Sequence, residues 1–144
     1  MPASATQQRA TLDKFFKALK AWKYQDFVPL LGKEFQQVTS PSTLGVAARE
    51  RSQMEQMLPV FMATITNYNI KFHKVLHDPA ENKACFHATS TGDTPFDDWN
   101  MEYVGFVTFS EDGTEVVKLE EFVDSSRMAD FGPKLHEYLK GQKK

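Results

Sequence analysis

The sequence has little of what marks secreted, membrane or nucleic-acid-binding proteins. Its 144 residues include one cysteine, Cys85, so no internal disulfide can form, which is typical of a reducing compartment. No apolar run approaches the roughly 18 residues of a membrane span, and the first residues lack the apolar segment of a secretory signal. The net charge is only −2, and the lysine cluster at residues 140–144 is a short tail. We therefore expect a cytoplasmic protein that binds neither membranes nor nucleic acid.

Aromatic residues, by contrast, are abundant. Twelve phenylalanines occur in a chain whose length suits one domain, here residues 1–144. Such a chain can fill a core or line an apolar cavity, and composition alone does not separate the two.

Apolar periodicity predicts early helices and later strands. Leu12, Phe15 and Trp22 recur on one face of a helix predicted at residues 6–23. The elements expected after it are a short helix at 24–31, a strand at 33–39, a helix after Ser52, strands at 69–77 and 83–91, a hairpin at 99–124, and a terminal helical segment interrupted at Gly132-Pro133. Successive hairpins give a mainly antiparallel sheet with helices on one face, so the fold class is α+β.

The hairpin at residues 99–124 is the longest of these elements. Glu111-Asp112-Gly113 is predicted to form its loop, because glycine readily takes the positive φ that a three-residue loop needs. With that loop length, Tyr103 faces Glu121 across the strands.

A carboxylate accompanies the apolar face of the second hairpin strand. The members of that face are Val117, Leu119, Glu121 and Val123. We expect it to turn inward, and desolvation there would raise the pKa of Glu121 enough for proton exchange near neutral pH, with Tyr103 as a hydrogen-bond donor. A one-residue slip in register would place Glu120 inside instead. The outer face is expected to carry Val104, Phe106, Val116 and Phe122, which are apolar enough to bury against a second copy of the chain.

The strands at 69–77 and 83–91 are expected to pair with a second apolar face inward. That face would carry Ile70, Phe72, Leu76, Ala84, Phe86 and Ala88. His73 and His87 would then lie opposite each other on the outer face. Two histidines without further ligands at suitable spacing are weak evidence for a metal, and none is expected.

Several runs carry a resemblance to a known family. FHATSTGDTP at 86–95, MEYVGFVTFSEDG at 101–113 and LEEFVDS at 119–125 are similar to the fungal SnoaL-like branch of the nuclear transport factor 2-like superfamily. The loop at 41–45 resembles that branch as well. The resemblance implies a cone formed by a curved sheet and closed by helices.

The resemblance also implies an enzyme of fungal secondary metabolism, such as a cyclase, isomerase or dehydratase. Members mostly use acid/base groups in the cone without cofactor or metal, and they are often homodimers. Their pocket residues fall on Trp99, Tyr103 and Glu121 of this sequence, in agreement with the strand parity. We expect the substrate, an apolar polyketide, terpenoid or alkaloid intermediate, to contact a further set of side chains: Phe15, Trp22, Tyr24, Gln37, Met57, Phe61 and Met101.

One position departs from the family pattern. The first strand of such proteins often presents a histidine or arginine into the cone, whereas this chain has Gln36 and Gln37, which cannot titrate. A glutamine can still orient a carbonyl by hydrogen bonding. Two interpretations stay open: an acid/base enzyme in which Glu121 and Tyr103 act, and a binding or dimerisation module in which they form a structural hydrogen bond.

Overall fold

Six strands form one curved, unclosed sheet that is packed against helices. The computed structural model describes residues 4–142. The helices are α1 (Ala5–Ala21), α2 (Tyr24–Phe27), α3 (Arg51–Thr64) and α4 (Ser125–Gln142), and the strands are β1 (Leu31–Ser40), β2 (Arg49–Glu50), β3 (Thr66–Asp78), β4 (Lys83–Asp93), β5 (Trp99–Phe109) and β6 (Val116–Val123).

The strand order in the sheet is β2-β1-β6-β5-β4-β3. The β1–β6 pair is parallel and the other pairs are antiparallel. The predicted α+β class with a mainly antiparallel sheet is therefore confirmed. None of the helices in the described part of the chain is both long and apolar enough to cross a membrane.

The first helix begins and ends at residues suited to those positions. The Ser4 side chain accepts a hydrogen bond from the Gln7 N–H at 3.0 Å, which satisfies one of the free donors of the first turn. The helix ends at Trp22, whose left-handed backbone (φ 55°) turns the chain out of the helix. This cap leaves the Trp22 indole facing the start of β3.

Phenylalanine rings fill the space between α1 and the sheet. Phe86 on β4 lies with its ring centroid 5.3 Å from that of Phe16 and 5.5 Å from that of Phe72. Phe15 is fully buried and packs 5.0 Å from Phe27. This end of the molecule is a packed core rather than a pocket.

The register of the main hairpin differs from the prediction by two residues. Gly113 has a positive φ of 74°, as predicted, but the loop is closed one residue later by a 2.9 Å hydrogen bond from the Ser110 N–H to the Glu115 carbonyl. Glu121 therefore pairs with Gly105, and the predicted Tyr103–Glu121 pairing was wrong. Because the offset is two residues, the two side chains still share one face.

Two irregularities in the strand ladders reverse predicted faces. A register shift at Thr108/Phe109 turns Val116 inward, where it is fully buried, so its predicted place on the outer face was wrong. A second shift between Phe72 and Lys74 turns Leu76 outward, where it is 71% exposed. A bulge inserts one residue into one strand of a pair, and this exchanges the two faces beyond it.

The chain ends in one continuous helix. The predicted interruption at Gly132-Pro133 was wrong, because α4 runs through both residues. Asp124 accepts a hydrogen bond from the Arg127 N–H at 3.2 Å at the start of this helix. The buried Phe131 anchors α4 against the sheet.

Candidate active site

A line of three polar side chains crosses the inner side of the sheet at its β2–β1–β6 end. The Gln37 Nε2 donates to Glu121 Oε1 at 2.8 Å, and Arg49 Nη1 donates to Gln37 Oε1 at 2.9 Å. Strand pairing places them, because Gln37 faces Arg49 across β1 and β2, and Thr39, two residues along β1, faces Glu121 on β6. Arg49 on the edge strand is thus linked to the Glu121 carboxylate through the Gln37 amide.

Glu121 has an unusual electrostatic environment. Burial raises the pKa of its carboxyl group, while the hydrogen bond from Gln37 and the charge of Arg49 lower it, and the net direction is upward. A carboxylate with a raised pKa can accept and return a proton closer to neutral pH than one in water.

Two phenols on the inner side of the sheet interact electrostatically with Glu121: Tyr103 on β5 and Tyr68 on β3, the opposite edge strand. Burial raises the pKa of Tyr68 to about 12, and the negative charge of Glu121 contributes to the rise. Burial, Tyr68 and Glu121 together raise the pKa of Tyr103 well above its ordinary value. Both phenols therefore stay protonated at neutral pH and can donate hydrogen bonds. Within residues 4–142, the side-chain hydrogen bond made by Glu121 goes to Gln37 and not to Tyr103.

Aromatic side chains form a wall beside these polar groups. Trp22 stacks on Tyr68 with ring centroids 3.5 Å apart and planes 13° from parallel. The Trp22 Nε1 is held by the carbonyl oxygens of Met62 and Ile65 at 2.9 and 3.0 Å. Phe61 packs 5.9 Å from the Trp22 ring. This wall fixes the Tyr68 ring and presents flat apolar surface.

Trp99 joins the wall to the last helix. Its Nε1 donates to the Ser90 Oγ at 2.9 Å, and its ring lies 5.6 Å from Phe61 and 4.9 Å from Phe131. Ser90 also lowers the pKa of Tyr68 by hydrogen bonding. The Ser90 hydroxyl thus accepts from the indole and lies near the Tyr68 phenol, and Phe131 closes this side of the site.

The surface around α4 carries two depressions. A narrow one of about 10 Å³ lies between residues 97–101 and Phe131, and an open one of about 510 Å³ lies beside Phe96 and Tyr138. Neither is lined by Glu121 or Tyr103. The side chains of Trp99, Met101 and Tyr103 are each less than 9% exposed, so the site is closely covered in this conformation.

The structure brings most of the predicted site residues together and separates others. Glu121, Tyr103 and Gln37 belong to the polar group, and Trp22, Phe61 and Trp99 belong to the aromatic wall. Met101 is buried two residues before Tyr103, on the same face of β5. Phe15 lies in the phenylalanine core, and the half-buried Met57 and Tyr24 pack against the edge of that core.

Three residues of this site were not predicted from the sequence: Tyr68, Ser90 and Arg49. Tyr68 precedes the predicted start of its strand, but it has the same parity as the inward Ile70, so extending that strand would have revealed it. Ser90 is inward by the same rule on β4. Arg49 lies on a strand of two residues, for which the sequence offers no signal.

The donor set suits acid/base chemistry. One carboxylate can move a proton, and two protonated phenols and an amide can hold an oxygen atom. No group of three or more histidine, cysteine, aspartate or glutamate side chains is arranged to hold a metal ion in the described residues.

Comparison with known proteins gives relatives of nearly equal length. The chain is 45% identical over 139 residues to "Monooxygenase AacuO" of Aspergillus aculeatus, covering 96% of this chain and 87% of the relative. It is 41% identical to "Monooxygenase AacuP" of the same fungus, covering 99% and 98%. An "Ergochrome gene cluster protein" of Claviceps purpurea is 33% identical and is covered to 88%. No family model matches the chain.

Solved structures share the fold. BvnE pinacolase from Penicillium brevicompactum has a TM-score of 0.84 at 20% identity, with 92% of this chain and 93% of that chain covered. A putative SnoaL-like polyketide cyclase from Shewanella denitrificans has a TM-score of 0.70 at 10% identity, covering 85% and 94%. The chain belongs to the family of these fungal relatives and has the fold of the SnoaL-like proteins.

Membership confirms the resemblance drawn from the three sequence runs. Two of these relatives are named as monooxygenases, whereas the two structural neighbours are named as a pinacolase and a putative polyketide cyclase. The names support an enzyme and leave the reaction to be assigned from the site.

Proposed function

We propose that this SnoaL-like chain is an acid/base enzyme that isomerises or cyclises an apolar intermediate of fungal secondary metabolism without a cofactor. Glu121 removes a proton from a carbon that is next to a substrate carbonyl or conjugated with it. Tyr103 and Tyr68 donate hydrogen bonds to the enolate oxygen that forms. The proton then returns from Glu121 to another atom, or the enolate carbon attacks an electrophilic carbon of the same molecule. We place this activity in the cytoplasm, as the lone Cys85 suggested.

One observation carries the proposal: the half-buried Glu121 carboxylate, the buried Tyr103 phenol and the half-buried Tyr68 phenol share the inner side of the sheet beside an aromatic wall. Burial raises the pKa of all three groups, so the carboxylate is a stronger base than in water and both phenols keep their protons. The binding-module interpretation assigned Glu121 and Tyr103 to a structural hydrogen bond with each other, and that bond is not among the hydrogen bonds of residues 4–142.

Ligand binding can be followed with the protein's own fluorophores. Both tryptophans, Trp22 and Trp99, lie in the wall, so a flat ketone that enters the site will quench their fluorescence. Anthrone is a suitable probe, because it is flat, apolar and enolisable at its CH₂ group. The anthrone concentration at which quenching saturates is then used in the catalytic test.

The catalytic test is exchange of the anthrone CH₂ protons in D₂O without oxygen, followed by NMR. Glu121→Gln should lower the enzymatic exchange rate about 10²- to 10⁴-fold, the usual contribution of a general base. Tyr103→Phe should lower it by about 10²-fold or more, since it removes one donor to the enolate oxygen. Glu120→Gln, one residue away on the outer face, is the matched control and should leave the rate unchanged.

Exchange at the wild-type rate in both Glu121→Gln and Tyr103→Phe would overturn the assignment of these residues. Loss of exchange in Glu120→Gln instead would show that the working carboxylate is the neighbouring one.

A second candidate function follows from the names of the relatives. The same enolate could react with molecular oxygen: a CH₂ group and O₂ would give C=O and H₂O, with the substrate supplying the electrons. Anthrone under air distinguishes the two, because oxygenation consumes one O₂ per anthraquinone formed. Oxygen uptake that depends on Glu121 would favour the monooxygenase, and exchange without uptake would favour the isomerase or cyclase.

We also propose that two copies associate through the outer face of the sheet. Phe106 and Phe122 are 45% and 56% exposed on the outer face, where Phe122 pairs with Val104 and Cys85 lies between Phe106 and the exposed Leu76. These side chains form an apolar patch. Two neighbouring carboxylates have partners within the chain, since Glu120 lies 3.4 Å from Lys118 and Glu102 lies 2.6 Å from the His87 imidazole. These two carboxylates can therefore be covered with the patch without being left isolated.

The oligomeric state is measured by light scattering after gel filtration. Phe106→Glu and Phe122→Glu should convert a dimer to a monomer, because they bury a charge in the patch. Val60→Glu is the control, since Val60 is 49% exposed on α3, away from the sheet. A monomeric wild-type protein would refute this part of the proposal.

A further inference from the structure

The amide of Gln37 occupies an unusual place between a permanent cation, Arg49, and the half-buried carboxylate of Glu121. Its Oε1 accepts from Arg49 at 2.9 Å and its Nε2 donates to Glu121 at 2.8 Å. Gln37 is only 8% exposed, so water does not readily replace either partner. The amide is fixed at both ends.

The hydrogen-bonding capacity of Arg49, Gln37 and Glu121 determines which atom donates and which accepts at each contact. A guanidinium group has donors only, so the atom that faces Arg49 must be the amide oxygen. The amide NH₂ is thereby directed at Glu121, and the carboxyl oxygen that it meets must accept. Without Arg49, the amide could rotate and present its oxygen to Glu121, which would favour a protonated carboxyl as donor.

We propose that Arg49 is a positioning residue that acts through Gln37 to hold Glu121 as a hydrogen-bond-accepting carboxylate, the form that a general base requires. This proposal rests on the proposed function, in which Glu121 is the general base. Arg49 does not touch the reacting atoms. It sets the orientation of the amide, and the amide sets the form of the carboxyl group.

Few groups on the neighbouring strands face the Glu121 carboxyl group. Arg49 on β2 favours the ionised form, and so does Gln37 on β1. Tyr68 on β3 and Tyr103 on β5 are neutral phenols that feel the Glu121 charge. Arg49 is the cation among the groups that shift Glu121, so its removal should be visible in the Glu121 titration.

The test is a titration of the Glu121 carboxyl carbon by NMR in protein labelled at glutamate, without substrate. The signal is assigned by its loss in Glu121→Gln. Arg49→Met should increase the proton affinity of Glu121 by about tenfold or more, a rise of about one pH unit, because charge-assisted hydrogen bonds are among the stronger ones. Arg49→Lys keeps a donor and should restore much of the wild-type value.

A double substitution separates relay through the amide from charge acting through space. In a Gln37→Leu background, Arg49→Met should shift the titration by less than half as much as in the wild type. Equal shifts in both backgrounds, or no shift in Arg49→Met, would overturn the proposal. Arg9→Met, on the exposed face of α1, controls for loss of positive charge and should leave the titration unchanged.

The catalytic consequence is measured separately. In Arg49→Met, the acidic limb of the kcat/KM profile should move to higher pH by the same amount as the titration, with thermal unfolding confirming a folded protein. A shifted titration without any enzymatic exchange would leave the positioning role standing and reject the proposed function. A shifted titration with an unchanged pH profile would show that Glu121 is not the base.

Discussion

Adding one methyl group at Gly105 should perturb the site and the core together. Gly105 pairs with Glu121 on one side and with Phe86 on the other. A Cβ at this position would lie 2.5 Å from the Phe86 Cε1 and 3.1 Å from its Cε2, far inside ordinary contact. The Phe86 ring is 1% exposed and is surrounded by other rings, including Tyr103 at 5.8 Å, so it has no free space to occupy.

The magnitude follows from the cost of overpacking a dense core. Such substitutions cost about 1–3 kcal/mol, and the rigid surroundings of Phe86 place Gly105→Ala toward the upper part of that range. For a chain of this length, each kcal/mol lowers Tm by about 3 °C, so we expect a decrease of about 5–10 °C. Enzymatic exchange should fall as well, because the displaced ring pushes on Tyr103.

Thermal unfolding followed by circular dichroism measures the effect. Gly141→Ala is the control, since a Cβ there meets no heavy atom within 4 Å, and its Tm should change by less than about 2 °C. An unchanged Tm in Gly105→Ala would refute the close approach of Phe86 to the strand, and with it the reason for a glycine opposite Glu121.

Three further predictions concern other contacts. Glu121→Gln should raise stability to chemical unfolding at neutral pH but not below about pH 4.5. The folded-state pKa of Glu121 is raised above 4.5, so the wild-type protein loses stability from about pH 4.5, where the unfolded chain ionises, and the loss is complete once pH has risen through the folded-state pKa. Equal gains at both pH values would contradict this. Gln8→Leu should lower the free energy of unfolding in urea by about 1–3 kcal/mol, because Gln8 is fully buried and its 2.7 Å hydrogen bond to Asn82 is lost. An unchanged free energy of unfolding would show that α1 is held by apolar contacts alone. Phe131→Ala should cost about 3–5 kcal/mol and shift the Trp99 emission to longer wavelength as water reaches the indole, whereas unchanged emission would place α4 away from Trp99.

Strand parity predicted the inner and outer faces as far as each ladder stays regular. Ile70 and Phe72 pair with Ser90 and Ala88 in the expected register. Beyond the shift at His73, the faces exchange, and His77 points inward to bond with Gln8 at 2.8 Å. A bulge depends on the packing of both strands, so alternation within one strand cannot reveal it.

The candidate site was partly predictable for the same reason. Tyr103 and Glu121 follow from alternation in two strands and tolerate a two-residue error in register. Trp22 could be placed at the end of a helix, but its stacking on Tyr68 depends on how α1 crosses β3. Arg49 was out of reach, because a two-residue strand has no periodicity and its role arises only from pairing with β1.

The amide between Arg49 and Glu121 explains how one carboxylate can meet two opposed requirements. A direct ion pair would hold the carboxylate firmly ionised and make it a weak base, as opposite charge at contact lowers a carboxyl pKa. Burial without any partner would leave it protonated and unable to accept a proton. With Gln37 interposed, the hydrogen bond is kept while the cation stands one residue farther away, and the net direction of the Glu121 pKa remains upward. The glutamine cannot itself titrate, but this arrangement is consistent with acid/base function, since the charge that Gln37 lacks is supplied by its neighbour on β2.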